Sequence, residues 1–382
     1  MKICGIICEY NPFHFGHEYQ LREAQRLSGA DAVICFMSGN FVQRGEASVL
    51  EKHVRARHAV LGGADAVIEL PTCFATSSAE IFAKGAIHLL SSIPELSVLC
   101  FGAESATASE LKKAATLLLN EPKEISEKIQ ILLSKGISYA KARAEAWKEA
   151  IDPALLTSPN NILALEYTKA ILSKNINLEI LPIQRQGSGY LEKTLSTKYP
   201  SATAIREAIH KGTPVYGIAD YVKNDLPTSL ENGLDLIENY AILNKTVNEI
   251  AQTPDCTEGL EYAFKNALSQ GKRHLAERLT SARYTTSRIR RILLQNMLNI
   301  TKEDIKRYLQ TPLYLNVLAV KKSRTDLLSV LGNAKAPLII RAHDEEKLSP
   351  VALQCFQTDI FAERVYSQLY PLKEKKEIFI EK

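Results

Sequence analysis

The first half of the chain alternates strand-length apolar runs with segments of helical periodicity, and this alternation restricts the folds open to it. The runs are residues 2–8, 31–37, 65–70, 97–101 and 177–183, and helix-like stretches such as 51–61, 78–90 and 108–119 lie between them. Continuously apolar strands belong to sheets covered on both faces. Strands separated by helices predict a parallel sheet with right-handed crossovers, an α/β Rossmann-like domain. Ligands of such sheets bind beyond the carboxyl ends of the strands. Those ends carry residues 11–17, Ser38-Gly39-Asn40, Pro71 and Gly102-Ala103-Glu104, whose small and polar composition agrees with a shared crevice.

The first of these ends reads Glu9-Tyr10-Asn11-Pro12-Phe13-His14-Phe15-Gly16-His17. Asn11-Pro12 stops the strand, and from Gly16 onward Leu21, Ala24 and Leu27 recur at helical spacing. His14 and His17 are three residues apart, so both face one way around the first helical turn. Unpaired backbone N–H groups and the helix dipole favour anions there. Alone, His-x-Gly-His would be a helix cap and a surface histidine. Behind a buried strand and opening a helix, it marks a site for phosphate oxygens, as in the nucleotidyltransferase superfamily that the arrangement resembles.

At 382 residues the chain is long enough for two domains, and 46% hydrophobic with 24% charged residues is ordinary for a soluble protein. With no basic leader and no apolar span of membrane length, the expected location is cytoplasmic. The seven cysteines (4, 8, 35, 73, 100, 256 and 355) form neither a CxxC pair nor a Cys/His cluster. They read as reduced core residues, and no protein-bound metal site is expected. The expected division is a catalytic, nucleotide-binding domain over residues 1–230, with a helical insertion at about 122–174, and a mainly helical, basic domain over 231–382 with a small sheet from 313–320 and 337–341.

Four further segments carry chemistry. The loop after the second strand offers Asn40, Gln43 and Arg44 to a ligand, with Lys52 just inside the next helix; Phe41 and Val42 are unusual for a solvated loop. Asn160 is a natural helix cap that could instead read an adenine edge or a ribose hydroxyl. Arg185, followed by Gln186-Gly187, ends the last strand as a candidate phosphate or carboxylate clamp. Ser201-Ala202-Thr203-Ala204-Ile205-Arg206 opens a helix, with Ser201 or Thr203 as its cap, and matches the superfamily's second signature. Beyond these, residues 271–325 are basic. Lys272, Arg273, Arg283, Arg288, Arg290 and Arg291 stand among few acids, with Tyr284 and Tyr308 interleaved, a pattern suited to RNA phosphates and bases.

Taken over its full length, the chain resembles the tRNA(Met) cytidine acetate ligase family. The matching stretches are GIICEYNPFHFGHEYQL, SGNFVQRGE, GADAVIELP, FGAES, SPNNILALEY, SATAIREAI and RYTTSRIRRILL. The resemblance implies that acetate and ATP, accompanied by Mg²⁺, give acetyl-adenylate and pyrophosphate, and that the acetyl group passes to N4 of the wobble cytidine of elongator tRNA(Met). It implies His14, His17 and Arg206 as catalytic residues. It implies ATP contacts from Ile7, Cys8, Glu9, Tyr10, Asn11, Pro12, Phe13, Phe15, Gly16, Glu18, Tyr19 and Gln20. Gly102, Asn160, Arg185, Gln186, Ser201 and Thr203 complete that nucleotide set. The sequence departs from the family pattern at Ala47, where proline is common, and at Ala204, where serine is usual. The competing readings are a small-molecule adenylyltransferase and a non-catalytic RNA-binding protein on the same fold.

Overall fold

The computed structural model describes residues 1–184, 200–227, 233–271, 273–370 and 377–381. In chain order its strands are β1 (Ile3–Cys8), β2 (Ala32–Ser38), the short β3 (Phe41–Val42) and β4 (Glu46–Ala47), β5 (Ala66–Leu70), β6 (Leu96–Ala103) and β7 (Glu179–Gln184). The C-terminal third adds β8 (Leu315–Lys321), β9 (Leu338–Ile339) and β10 (Phe379–Ile380). The five runs read from the sequence are the five parallel strands β5-β2-β1-β6-β7. From β1 the chain moves outward to β2 and β5, then returns to place β6 on the other flank of β1. That reversal opens a crevice at the carboxyl ends of β1 and β6.

These strands are mostly apolar because helices cover both faces. All seven residues of β2 are buried, and their side chains alternate between two separate cores. One core joins Ile34 and Phe36 to Phe82, Ile87 and Leu90 from the helix Ala79–Leu90, and to Leu165 from the helix Pro159–Ser173. The other joins Val33 and Cys35 to Leu21 and Ala24 of the helix Phe15–Ser28, and to Ile205 of the helix Ala202–Lys211. Each fully buried large apolar side chain contributes about 1.5–3 kcal/mol. The second core, which takes in Leu21, Ala24, Ile205 and Ile209, therefore holds both signature helices firmly against one face of the sheet.

The C-terminal third is mainly helical, but its strands do not form a small sheet of their own. β8 pairs antiparallel with β5, and β9 and β10 pair in parallel with β8, extending the central sheet. The strand expected over 313–320 is β8, begun two residues later and ended one residue later than read. Its partner lies some 250 residues earlier, and only the tertiary fold chooses it. Helices between Leu234 and Met297 gather a further core from Ile242, Ile250, Phe264, Ile289 and Leu293. The helix Thr286–Met297 ties it to the sheet, since its Leu294 and Met297 belong to the first core. No described helix is long and apolar enough to cross a membrane.

Candidate active site

His14 is the N-cap of the helix Phe15–Ser28, and its Nδ1 accepts from the Gly16 N–H at 3.0 Å. The cap and the ligand-facing histidine are therefore one residue. With Nδ1 engaged as acceptor, the neutral ring carries its proton on Nε2. Gly16 is required for this fold-back, because a Cβ there would lie 2.8 Å from His14 Cε1. The His17 ring stacks on His14 with centroids 3.6 Å apart and planes at 22°, and the rings of Tyr10 and Phe13 pack behind it at 4.7 and 5.8 Å. Both histidines line the cleft at a helix N-terminus, where the helix dipole adds positive potential. The first-turn amides, read from the sequence as unpaired, are engaged: Phe15 N–H by the Gly217 carbonyl, Gly16 N–H by His14 Nδ1 and His17 N–H by the His14 carbonyl.

The second signature closes the same cleft. Ser201 is the cap of Ala202–Lys211, its Oγ accepting from the Ala204 N–H at 3.1 Å. Arg206, one turn on, donates to the Asn11 carbonyl at 2.7 Å and to Thr203 Oγ1 at 3.2 Å. Ser201, Thr203 and Arg206 all line the cleft opposite the histidines. Ala204 is 1% exposed, so the departure from serine sits inside the core and outside the site.

The loop after β2 is a hairpin, β3 against β4, and its Phe41 and Val42 are buried in the protein. At its tip Gln43 and Arg44 face the cleft, and the Gln43 N–H donates to Glu9 Oε1 at 2.8 Å. Burial pushes the Glu9 carboxyl above the usual carboxylate range, while the Gln43 amide and Arg206, Arg44 and Arg55 pull against it. Arg55 belongs to no sequence motif. It is fully buried and donates to the carbonyls of Leu50, Glu9, Ser38 and Gly39, tying the ends of β1 and β2 together. A basic residue inside an amphipathic helix carries no sequence signal of such a role.

On the far wall, Gly102, one residue before the end of β6, lines the cleft together with Asn160. Ser158, not Asn160, precedes the helix Pro159–Ser173 as its N-cap residue. Asn160 lines the cleft and donates to Glu104 Oε1 at 2.7 Å, while the buried Asn161 accepts from the Glu104 N–H at 3.0 Å. Phe82, Phe101, Leu163, Tyr167, Ile183 and Gln184 also line the cleft. Leu163 and Tyr167 lie inside the SPNNILALEY stretch, but at helical spacing they read as core, as do the apolar Phe82, Phe101 and Ile183.

Several expected ligand residues lie elsewhere. Lys52 does not reach the crevice: its ammonium is buried between Glu69 at 2.9 Å and Glu363 at 3.0 Å. Burial works against that charge, but the two carboxylates outweigh it and hold its pKa above the ordinary lysine value. Asn40 is buried too, its Oδ1 accepting from the Lys52 N–H at 2.7 Å. Phe13 packs into the second core, and Pro12, Phe15 and Glu18 are not among the cleft-lining residues. Arg185, Gln186 and Lys272 fall outside the described residues.

The arginine-rich helix differs most from expectation. Arg290 pairs with Glu46 of the hairpin and with Glu277, and Arg291 pairs with Asp255 at 3.0 Å. Arg288 donates to the Asp255 carbonyl and to Thr257, and Arg283 pairs with Glu258 at 2.9 Å. Tyr284 lies under Arg283 and Arg288, and Tyr308 is buried. The charges of Arg283, Arg288, Arg290 and Arg291 are thus balanced by Glu46, Asp255 and Glu258 from earlier in the chain and by Glu277 within the segment. Arg273 is exposed.

A Rossmann-like sheet with His-x-Gly-His at the end of β1 and a Ser/Thr–Arg turn facing it defines a nucleotidyltransferase. A family model described as HIGH Nucleotidyl Transferase matches residues 1–379. A tRNA(Met) cytidine acetate ligase of Clostridium perfringens is 34% identical over 97% of this chain and 96% of its own length. One from a Thermoanaerobacter species is 37% identical over 97% and 96%. The crystal structure of apo Thermotoga maritima TmcAL superposes with a TM-score of 0.90 at 28% identity, and its complex with alpha-thio ATP with 0.86, each covering all of both chains. The chain belongs to the tRNA(Met) cytidine acetate ligase family of HIGH nucleotidyl transferases.

Proposed function

We propose that this protein activates acetate with ATP, forming acetyl-adenylate and pyrophosphate, and transfers the acetyl group to N4 of the wobble cytidine of elongator tRNA(Met). The observation that carries this reading is the meeting of both signatures in one cleft, with Arg206 bonded to the backbone of Asn11, just ahead of His14. Acetate is a poor acyl donor until one of its oxygens attacks the α-phosphorus and pyrophosphate leaves. The protein's part is to hold the nucleophile in line and to stabilise charge on the phosphoryl oxygens. His14 and His17 donate to those oxygens from the helix terminus. Arg206 with the Ser201–Thr203 turn receives the departing pyrophosphate, and Gly102 and Asn160 border the nucleoside.

Mg²⁺ would accompany ATP, held by the triphosphate oxygens, and would neutralise charge on them as pyrophosphate departs. The cytidine amine is weakly basic, and the mixed anhydride supplies the driving force that its acylation needs. Residues 1–230 serve as the catalytic domain, and the helical part beyond 231 binds tRNA. Arg273 and Arg278 are exposed there without an acidic partner among the described residues, and they replace the paired arginines as the cations offered to RNA phosphates. Arginine at such a surface suits the phosphate backbone.

The test is acetate-dependent exchange of labelled pyrophosphate into ATP, followed by mass spectrometry of nucleosides from tRNA(Met) incubated with ATP and acetate. Exchange together with N4-acetylcytidine, made without acetyl-coenzyme A, supports the reading. Exchange without transfer to tRNA would leave a small-molecule adenylyltransferase, and release of ADP would refute the adenylate route.

A further inference from the structure

Phe82, Phe101 and Tyr167 meet at one corner of the cleft, each under 5% exposed, with Tyr167 6.4 Å from Phe82 and 5.7 Å from Phe101 between ring centroids. Among the described residues the Tyr167 hydroxyl has no hydrogen-bond partner. The hydroxyl is not sealed in the core but opens onto the cleft, so an unpartnered donor among apolar rings is available there to a ligand. Its pKa lies above the ordinary phenol range, first because of burial and then because Glu9 and Cys8 are near, so it is a donor and never a base here. That proximity places the corner beside the end of β1, next to the phosphate-facing turn. On its other side the hairpin brings Arg44 into the same cleft.

We propose that this corner is the seat of the acid substrate, with the Tyr167 hydroxyl donating to the carboxylate oxygen that does not attack phosphorus and the Phe82 and Phe101 rings enclosing the methyl group. The inference rests on the acetate-activating reading and deepens it. In the step, one carboxylate oxygen forms a bond to the α-phosphorus while the bond from phosphorus to the bridging oxygen of pyrophosphate breaks, and its electron pair leaves with pyrophosphate. The second oxygen becomes the carbonyl of the mixed anhydride and stays bonded to Tyr167, which keeps its proton. One hydroxyl among apolar rings suits a single oxygen and a methyl. It does not supply the paired donor and acceptor that an adenine edge presents. The rings close the corner, so the size of the acid is set by them.

Acetate- and propionate-dependent pyrophosphate exchange, with ATP affinity and a thermal melt measured on the same preparations, tests this. Tyr167→Phe should raise the acetate KM about ten- to hundred-fold, the range for losing a hydrogen bond to a charged group, with the Kd for ATP unchanged. Phe82→Leu, which opens space without emptying the core, should raise propionate use relative to acetate about tenfold. Weakened ATP binding with an unchanged acetate KM in Tyr167→Phe would give the corner to the nucleotide and overturn the proposal. Unaltered acid preference in a folded Phe82→Leu would also overturn it. A wild-type protein with no acetate-dependent exchange would instead bring down the activity itself, and this seat with it.

Discussion

The Arg206 guanidinium donates to the carbonyl oxygen of Asn11 at 2.7 Å, joining two signatures that are 195 positions apart in the chain. The bond sets the distance between the pyrophosphate-receiving turn and the histidines. Arg206 also holds Thr203, so its removal takes away a charge and loosens both walls. Arg206→Ala should cut acetate-dependent exchange about 10²- to 10³-fold, the size of a lost transition-state donor. Arg206→Lys should recover little, because a single ammonium cannot keep both hydrogen bonds and still face the cleft. Exchange within threefold of wild type in Arg206→Ala would remove the assigned role.

His14 and His17 differ in what they support. His14→Ala loses a helix cap as well as a phosphate donor, whereas His17 caps nothing. Both substitutions should lower exchange about ten- to thousand-fold. Beyond the ring packing that each variant loses, His14→Ala should lose about 1 kcal/mol more stability in urea, the usual cost of an absent cap. Equal stability of the two variants would show that the Gly16 contact contributes nothing.

The hairpin that presents Arg44 is seated directly on the arginine-rich helix. Gly45 has φ +73°, and a Cβ there would lie 2.5 Å from the backbone of Arg290 and Arg291. Gly45→Ala therefore combines a left-handed backbone with a clash that no side chain can relieve, and should cost about 1–3 kcal/mol. A raised acetate KM should accompany it as Arg44 moves. Urea denaturation and exchange kinetics on the same preparation check both parts, and a variant normal in both would show the seat to be soft.

The paired and the unpaired arginines should respond differently to charge reversal. Arg288→Glu with Arg291→Glu sets carboxylates against Asp255 and Glu258 and should lower the melting temperature. Arg273→Glu with Arg278→Glu should leave the melt unchanged, weaken tRNA binding and reduce the slope of log affinity against log salt, because each lost phosphate contact removes counterion release. Filter binding across a salt series beside thermal melts separates the two cases. A full salt slope in Arg273→Glu with Arg278→Glu would move the RNA surface elsewhere.

Asp359 accepts from the Thr72 N–H and from the Tyr314 hydroxyl inside the protein. Burial and then the charge of Glu69 push its carboxyl from the usual range up to about 7, with Tyr314, Thr72 and Lys52 acting against the rise. The folded form therefore holds this proton more tightly than the unfolded chain. Its contribution to stability is full below about pH 4. It declines as pH rises to about 7, where the folded form also loses the proton. Asp359→Asn, which stays neutral, should gain stability relative to wild type as pH rises through that window. Melting temperatures of the two proteins at pH 4.5 and 7.5 check it; a constant difference would show that Asp359 is ionised throughout.

Local chemistry alone determined a large part of this protein. Five apolar runs of strand length, the Pro12 break, the His14–Gly16–His17 helix start and the Ser201 cap are short-range features, and periodicity and capping make them readable in the chain. Charge was different. Lys52, Arg288, Arg290 and Arg291 carry the same sequence signal as ligand-binding cations, and only the fold supplied the carboxylates of Glu69, Glu363, Asp255 and Glu46 that neutralise them. The antiparallel pairing of β8 with β5 and the aromatic corner around Tyr167 were likewise decided by tertiary structure. Hydrophobic pattern and backbone capping act over a few residues. Electrostatic pairing and cavity shape depend on groups brought together across hundreds, and the same side chain becomes a brace or a ligand according to what the fold places opposite it.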